Sequence, residues 1–383
     1  MQWLVVLPLE IVAATLTIEY WTHGSINNDA WVAIFLALIV GINLFGVKGY
    51  GESEFIFSII KVTAIIGYIL LGIIINIGGG PGGSYIGAKY YHNPGAFKNG
   101  FKGLCSVFVN AAFAFGGTEL VGLAAAETAN PRKSLPTAVK QVFWRITIFY
   151  VVSLLIVGLL VSSNDPRLLG SHNLAWTAAS PFVISIEQAG IDVLPSVFNA
   201  VIMIAVLSVG NSSIYGSSRT LAALAEQGQA PLMFAYIDRK GRPIISIALA
   251  STMGLLAFFA GSGFQQQAFN WMLSLSGLSS IFTWGSICLA HIRFRRGWEK
   301  QGHSLDELAF TSQAGVLGSW FGFLFNCLVL MAQFWTAAWP IGYGDHTGTW
   351  QAENFFEIYL AAPVVIVSYV GYKLVFRTPI IRR

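Results

Sequence analysis

The sequence predicts an all-α membrane protein with several spanning helices, because of its composition and its long apolar runs. Of its 383 residues, 55% are hydrophobic and only 10% are charged, and the mean hydropathy is +0.64. Soluble domains contain about 25% charged residues, so this chain has too little polar surface to face water on all sides. The net charge of +4 is small and lies mostly at one side of the predicted membrane region, which disfavours nucleic-acid binding.

About ten segments approach the roughly 20 apolar residues that a helix needs to cross a hydrocarbon core about 30 Å thick. Turn-forming residues separate many of them, such as Gly78 to Gly83, Asn130-Pro131 and Asp165-Pro166. In chain order the predicted segments are 1–22, 30–47, 54–77, 104–125, 144–163, 195–222, 244–262, 268–291, 315–338 and 353–375.

The basic residues predict the orientation, because cytoplasmic loops carry an excess of Lys and Arg. When the ten segments are threaded in order, 17 of the 22 basic residues fall on one side of the membrane. They are Lys48, Arg132, Lys133, Lys140, Arg145, Arg219, Arg239, Lys240, Arg242, Arg293, Arg295, Arg296, Lys300, Lys373, Arg377, Arg382 and Arg383. We therefore expect both chain ends to be cytoplasmic.

Three ionisable residues stand out inside predicted spans, where a charge costs several kcal/mol unless it is paired or faces a cavity. Glu10 lies in LPLEIVAA, Lys61 in FSIIKVTAIIGY and Glu119 in FAFGGTELVG. Each is a candidate functional residue. The alternatives are a structural ion pair or a side chain that extends to the membrane interface, and the second suits the long stem of Lys61 better than the two glutamates.

The fourth segment contains a predicted helix interruption at Gly116-Gly117, because glycine weakens a helix by about 1 kcal/mol relative to alanine. Thr118 and Glu119 add polar side chains at the same depth. Irregular backbone is tolerated there only beside a cavity or inside protein, and broken helices of this kind form the substrate sites of transporters. The alternative is a face of small residues for helix packing.

Two further segments are rich in small polar residues. The sixth contains Ser208, Gly210, Asn211, Ser212, Ser213, Tyr215 and Ser217 on more than one face, which predicts a helix inside the bundle. In the eighth segment, Asn270, Ser274 and Gly277 recur at helical spacing and share a face. That stripe suits either helix packing or the wall of a substrate site.

The chain resembles the fungal amino-acid permeases of the amino acid–polyamine–organocation superfamily over essentially its whole length, and among them most the broad-range general permeases. The interval from Gly117 to Pro136 is the most specific part. The matching stretches are LPLEIVAATLTIEYW, FIFSIIKVTAIIGY, FAFGGTELVGLAAAETANPRKSLPTAVKQVFWRI, NSSIYGSSRTLAALAEQGQAP, FNWMLSLSGLSSIFTWGSICLAHIRFRRGW and SLDELAFTSQAGVLGSWFG.

The resemblance implies a LeuT-like bundle in which twelve helices form two inverted five-helix repeats and a final pair. The ten segments of this chain align with family helices three to twelve, so we expect a single permease domain over 1–383 that lacks the first two. In that alignment 1–77 is the remainder of the first repeat, 104–291 is the second repeat and 315–375 is the last pair. The first family helix, which supplies half of the amino-acid site, has no counterpart here.

The resemblance also implies roles for individual residues. The interrupted stretch of Phe115, Gly116, Gly117, Thr118 and Glu119 is expected to bind the backbone groups of the substrate, with Phe115 as an aromatic gate. Asn211 and Ser276 are further substrate-binding candidates, Ser276 at a position that influences side-chain selectivity. Lys61 and Glu10 are the candidates for proton coupling. Lys61 matches a lysine thought to replace a sodium ion in proton-coupled relatives.

The predicted function is transport of L-amino acids with protons by alternating access, in a plasma membrane. Burial disfavours the charged form of a lysine, so Lys61 couples the two fluxes if its surroundings switch between wet and dry. A sensor that binds amino acids without flux and a truncated product that transports nothing are the alternatives. No metal, cofactor or nucleic-acid partner is indicated, and no spaced metal ligands, GxSxG motif or phosphate loop suggests an enzyme.

Overall fold

The computed structural model describes residues 2–125, 130–169, 180–260, 264–308, 310–342 and 349–377. Within these ranges the secondary structure is helical and contains no strand. The α-helices in chain order are α1 (Gln2–Thr22), α2 (Asn28–Leu44), α3 (Gly46–Asn76), α4 (Gly100–Ser106), α5 (Phe108–Phe115), α6 (Leu120–Ala125), α7 (Pro131–Arg145), α8 (Ser153–Leu160), α9 (Pro166–Leu169), α10 (Pro181–Gln188), α11 (Leu194–Glu226), α12 (Ile244–Gly254), α13 (Gln265–Lys300), α14 (Gly315–Ala338), α15 (Thr349–Tyr359) and α16 (Ala361–Phe376). Short π-helices at Tyr91–Gly95 and Ile146–Val152 and 3₁₀ turns at Leu232–Ala235, Leu255–Ala260 and Leu305–Glu307 complete the list.

Each of the ten predicted segments corresponds to helical structure. Seven helices or helix runs in the described ranges are long and apolar enough to cross a membrane, and α15 and α16 form an eighth candidate that bends by 62°. The two remaining segments form shorter apolar helices, Asn28–Leu44 and Ile244–Phe259. The fold class predicted from composition, an all-α polytopic membrane protein, is therefore confirmed.

The helix ends follow from local chemistry. Asn27 precedes α2, and its side-chain oxygen accepts a hydrogen bond from the Asp29 backbone N–H at 3.0 Å, which satisfies one of the unpaired donors of a first turn. Pro131 and Pro181 begin α7 and α10, positions where a missing N–H costs nothing. Two helices begin earlier than predicted: α3 begins at Gly46 rather than near residue 54, and the helical run through the fifth segment begins near Arg132 rather than near residue 144.

The described chain divides into two compact units. One unit, called here the larger unit, comprises Trp3–Lys98 and Thr118–Phe269. Its apolar core brings together α3, α8, α10 and α11. The buried residues of this core are Tyr68, Ile75, Ile156, Leu160, Val161, Ile184, Ile186, Ala189 and Phe198.

A polar cluster joins the loop after α8 to α10 within the larger unit. Asp165 accepts hydrogen bonds from the Arg167 backbone N–H and guanidinium and from Gln188 Nε2, the last at 2.6 Å. Arg167 also forms an ion pair with Glu187 at 3.2 Å. Asp165 thus holds the start of α9 against the end of α10.

The other unit, the smaller unit, comprises the described residues within Met1–Gln2, Asn99–Gly117 and Asn270–Arg383. Its core packs α5 against α13, α14 and the start of α16, and the buried members are Val109, Ala112, Leu278, Ile281, Val329, Ala361 and Ala362. At Gly277 a β-carbon would lie 2.5 Å from the Val109 carbonyl oxygen. This part of the predicted small-residue stripe therefore allows α13 to approach α5 closely.

Candidate functional site

The predicted interruption in the fourth segment is present. Helix α5 ends at Phe115 and α6 begins at Leu120, and between them Gly116 is extended while Gly117 has φ +93°. An L-residue other than glycine rarely adopts such a positive φ, so the glycine pair explains the local break. The residues from Phe115 to Glu119 are partly exposed.

A break of this kind removes the i→i+4 partners of backbone groups at both helix ends. Among those near the break, Gly116 N–H bonds to the Phe113 carbonyl at 2.9 Å and Gly122 N–H bonds to the Glu119 carbonyl at 3.0 Å. Gln2, at the start of α1, is buried, and its Nε2 lies 3.6 Å from where a Gly116 β-carbon would be. Gln2 was not among the predicted site residues.

Lys61 lies at the sixteenth position of the 31-residue helix α3, which is its midpoint. At a rise of 1.5 Å per residue, either end of the helix is about 22 Å away. The Lys61 Nζ donates a hydrogen bond to Ser208 Oγ of α11 at 2.7 Å. Lys61 is therefore paired with a polar group of a neighbouring helix.

Lys61 belongs to a network that joins α2, α3 and α11. Ser208 Oγ donates to Glu54 Oε2 at 2.6 Å, and Asn211 Nδ2 donates to Glu54 Oε1 at 2.8 Å. Asn43 Nδ2 in turn donates to Asn211 Oδ1 at 2.8 Å. All of these residues lie in the larger unit. The network links two predicted site residues, Lys61 and Asn211, through a carboxylate that the sequence analysis did not select.

The Asn211 side chain is completely buried, and both ends of its amide contact protein groups. These contacts fix the orientation of the Glu54 carboxylate. A direct contact between Asn211 and substrate stays a prediction. Helix α11 is polar and buried over this stretch, as predicted, with Ser208, Asn211, Ser213 and Ser217 at 9% exposure or less.

Glu10 is buried in the middle of α1, in the larger unit, with 5% of its surface exposed. A β-carbon at Gly210 of α11 would lie 3.5 Å from the Glu10 β-carbon and 3.0 Å from Ile39 of α2. Gly210 directly precedes Asn211, so the absence of a side chain at Gly210 lets α1 pack closely beside the polar stretch of α11.

Ser276 lies in the smaller unit on α13 and is 1% exposed. Its hydroxyl oxygen is buried and has no hydrogen-bond partner among the described residues. A buried hydroxyl without a partner costs about 1–3 kcal/mol. Its adjacent residue, Gly277, makes the close approach to α5, so Ser276 lies beside that helix contact.

Two hydrogen-bonded carboxylates were missed by the sequence analysis, one partly buried and one fully buried. Glu54 was placed at the first residue of a predicted span, where a charge is ordinary, but α3 begins eight residues earlier and Glu54 is inside the helix. Glu19 lies near the end of α1, is fully buried and accepts a hydrogen bond from Asn28 at 2.6 Å. The sequence pattern that could have identified Glu54 is its spacing of seven residues from Lys61, because that spacing places both residues on one helix face.

Comparison with known proteins identifies the family. The family model described as amino acid permease matches residues 1–382. The chain is 62% identical over 375 residues to general amino-acid permease GAP2 of Candida albicans, covering 98% of this chain and 63% of that protein. The chain belongs to the amino acid permease family.

Other relatives within the amino acid permease family have the same pattern of coverage. General amino-acid permease GAP1 of Saccharomyces cerevisiae is 56% identical over 379 residues, covering 98% of this chain and 62% of the relative. The histidine permease of the same yeast is 52% identical over 381 residues, with coverage of 98% and 62%. The chain thus spans less than two thirds of the length of these curated relatives.

Proposed function

We propose that the protein transports L-amino acids together with protons across the plasma membrane, by alternating access and with both chain ends in the cytoplasm. The family assignment and the names of the most similar relatives support the substrate class. The observation that supports proton coupling is the position of Lys61, at the midpoint of an apolar 31-residue helix and hydrogen-bonded to Ser208.

The interrupted stretch suits the backbone groups of a zwitterion. Unpaired N–H groups at a half-helix end favour a carboxylate, and unpaired carbonyls favour an ammonium group. We propose that Phe115, Gly116, Gly117, Thr118 and Glu119 contact the substrate, and that Ser276 influences side-chain selectivity. The hydroxyl of Ser276 has no hydrogen-bond partner among the described residues, and a polar substrate atom would supply one once alternating access opens a path to this buried position.

Lys61 is the proposed coupling residue, and Glu10 is proposed to assist it. An ammonium group in an apolar bundle is stable only with polar partners, and Lys61 obtains them from the α11 face. If the partners or the hydration of Lys61 change as the site alternates between the two sides, its proton affinity changes with them. That dependence would tie proton movement to amino-acid movement.

The test is uptake of a radiolabelled L-amino acid into proteoliposomes that contain the purified chain, with an inward proton gradient. Lys61→Met is expected to abolish accumulation because it removes the titrating group while keeping an unbranched side chain of similar length. Lys48→Met is the matched control on the same helix, since Lys48 is exposed and pairs only loosely with Glu52 at 3.8 Å. We expect that control to accumulate substrate as the unmodified chain does.

Two results would count against the proposal. Full proton-driven accumulation by Lys61→Met would remove Lys61 from the coupling mechanism. Saturable binding of the amino acid by the unmodified chain, without any flux into the vesicles, would instead favour a sensor.

A further inference from the structure

Glu54, Ser208 and Lys61 form a continuous line of hydrogen bonds inside the larger unit. Lys61 Nζ donates to Ser208 Oγ at 2.7 Å, and Ser208 Oγ donates to Glu54 Oε2 at 2.6 Å. Glu54 and Lys61 are seven residues apart on α3, so both lie on one face and are separated along the axis by about 10 Å. The Ser208 hydroxyl of α11 occupies the space between their charged ends.

The directions of these hydrogen bonds are fixed by the chemistry of the three groups. An ammonium group can only donate and an ionised carboxylate can only accept, whereas a hydroxyl has one proton to donate and two lone pairs. Ser208 therefore accepts from Lys61 and gives its own proton to Glu54. A hydroxyl held in this way between a cationic donor and a carboxylate has the geometry of a proton relay.

The remaining contacts keep the Glu54 carboxylate in place. Its second oxygen, Oε1, accepts from Asn211 Nδ2 at 2.8 Å, and Asn211 is held in turn by Asn43. Asn43 also donates to the Ile39 carbonyl of its own helix at 3.0 Å. These amides hold the acceptor within reach of Ser208 and bring no titratable group of their own.

We propose that Glu54 is the acceptor of the proton that Lys61 releases during transport, and that the Ser208 hydroxyl passes it on. Ser208 Oγ takes a proton from Lys61 Nζ while its own proton moves to Glu54 Oε2. The products are a neutral lysine amine, an intact serine hydroxyl and a neutral carboxylic acid. One positive and one negative charge disappear together, so the bundle loses a partly buried charge pair without a change in net charge. This inference rests on the proposed transport function and extends it.

The surrounding groups give the relay a direction. In the orientation proposed above, the start of α3 is cytoplasmic, so Glu54 lies about two turns nearer the cytoplasm than Lys61. Further along the same path, Tyr50 Oη lies 3.1 Å from Ser212 Oγ, and its ring stacks on Tyr215 at 4.1 Å. The Arg219 guanidinium lies over the Tyr215 ring at 3.8 Å. In that orientation Glu54 lies on the cytoplasmic side of Lys61, the side to which a proton that enters from outside is released.

Arg145 is a further charged group close enough to Lys61 to interact with it electrostatically. It lies at the end of α7 in the larger unit. Glu54 is the carboxylate that the hydrogen bonds connect to Lys61.

The first test compares two transport modes of the purified chain in proteoliposomes. Exchange of labelled for unlabelled amino acid requires no net proton movement, whereas accumulation driven by a proton gradient does. Glu54→Gln and Ser208→Ala are expected to lower the ratio of accumulation to exchange by about a hundredfold or more, since a positioned proton acceptor contributes on that scale. Ser208→Thr keeps the hydroxyl and is expected to restore the ratio.

Glu52→Gln is the matched control, because Glu52 is two residues from Glu54 on the same helix but is exposed, with 68% of its side chain accessible. An unchanged ratio in Glu54→Gln would overturn the relay. So would equal losses of exchange and accumulation in Ser208→Ala and Ser208→Thr, since that pattern indicates a structural role.

A second measurement tests the relay without flux. Infrared spectra of the purified chain report the carbonyl stretch of a protonated carboxyl group. On addition of an L-amino acid to the unmodified chain we expect a new protonated-carboxyl band that is absent from Glu54→Gln, which lacks the acceptor, and from Lys61→Met, which lacks the proton donor. No such band would overturn the inference. If the band appears but the unmodified chain exchanges no amino acid, the relay stands and the proposed transport function fails.

Discussion

At the scale of single residues, hydrogen bonds of one side chain, Asp165, hold the loop that follows α8. Asp165 is nearly buried, and its two oxygens accept hydrogen bonds from Arg167 and Gln188. These hydrogen bonds, the ones from Arg167 above all, hold the pKa of Asp165 below its usual range. The same contact stabilises the charged form of Arg167, because its hydrogen bonds to Asp165 raise the pKa of the guanidinium.

The Asp165 contacts predict a pH-dependent contribution to stability. A carboxyl whose pKa is lowered by folding stabilises the protein above its unfolded pKa, about 3.9 for aspartate, and the contribution is lost as the pH falls through the folded pKa. We therefore expect Asp165→Asn to lower the melting temperature in detergent at neutral pH. The difference from the unmodified chain should shrink as the pH falls below about 4.

Asp192→Asn is the control for this measurement, because Asp192 is an exposed aspartate in the loop after α10. Asp192→Asn should have the same melting temperature as the unmodified chain at every pH. If Asp165→Asn and the unmodified chain melt together at neutral pH, or if their difference is the same in acid, the carboxylate does not stabilise this loop.

At the scale of helices, glycines determine how closely elements approach. Gly277 of α13 lies against the Val109 carbonyl of α5, where a β-carbon would be only 2.5 Å from the oxygen. Backbone of α5 cannot move aside as a flexible side chain can. A glycine at this position therefore contributes to stability through packing, despite its poor helix propensity.

Gly277→Ala is predicted to reduce the free energy of unfolding by about 1–3 kcal/mol, the usual cost of an overpacked site. The same change at Gly297 of α13 provides the control, because a β-carbon there meets nothing within 4 Å. Gly297→Ala should be slightly stabilising, since alanine favours a helix by about 1 kcal/mol. Thermal unfolding in detergent measures both, and a Gly277→Ala protein as stable as Gly297→Ala would contradict the observed packing.

The helices themselves were largely predictable from sequence, because the length of an apolar run follows from membrane thickness. The beginning of α3 was not, since Gly46 to Ser53 contains glycine and polar residues typical of a loop. The bend of 62° between α15 and α16 also went unpredicted within the segment 353–375. Hydropathy could locate neither feature, because Gly46 to Ser53 is too polar to extend an apolar run and the bend leaves the hydropathy of 353–375 unchanged.

The candidate site was only partly predictable for a different reason. Lys61 and Glu10 were found because a charge in an apolar run is conspicuous, and Gly116-Gly117 because glycine interrupts helices. The pairing of Glu54 with Ser208 joins residues 154 positions apart. No local pattern states which helices pack together, so this contact required the three-dimensional structure.

For the whole molecule, the distribution of charge leads to a prediction of orientation that transport assays do not test. Most basic residues fall in one set of loops, which places the Lys240 turn in the cytoplasm and the loop at Ser163 outside. Both positions are exposed.

In intact cells a membrane-impermeant maleimide should label Ser163→Cys at once, but Lys240→Cys only after permeabilisation. The parent chain, in which Cys105 is buried and Cys288 and Cys327 are partly buried, gives the background. The reverse labelling pattern would invert the topology and turn the Glu54 side of the proposed relay toward the exterior.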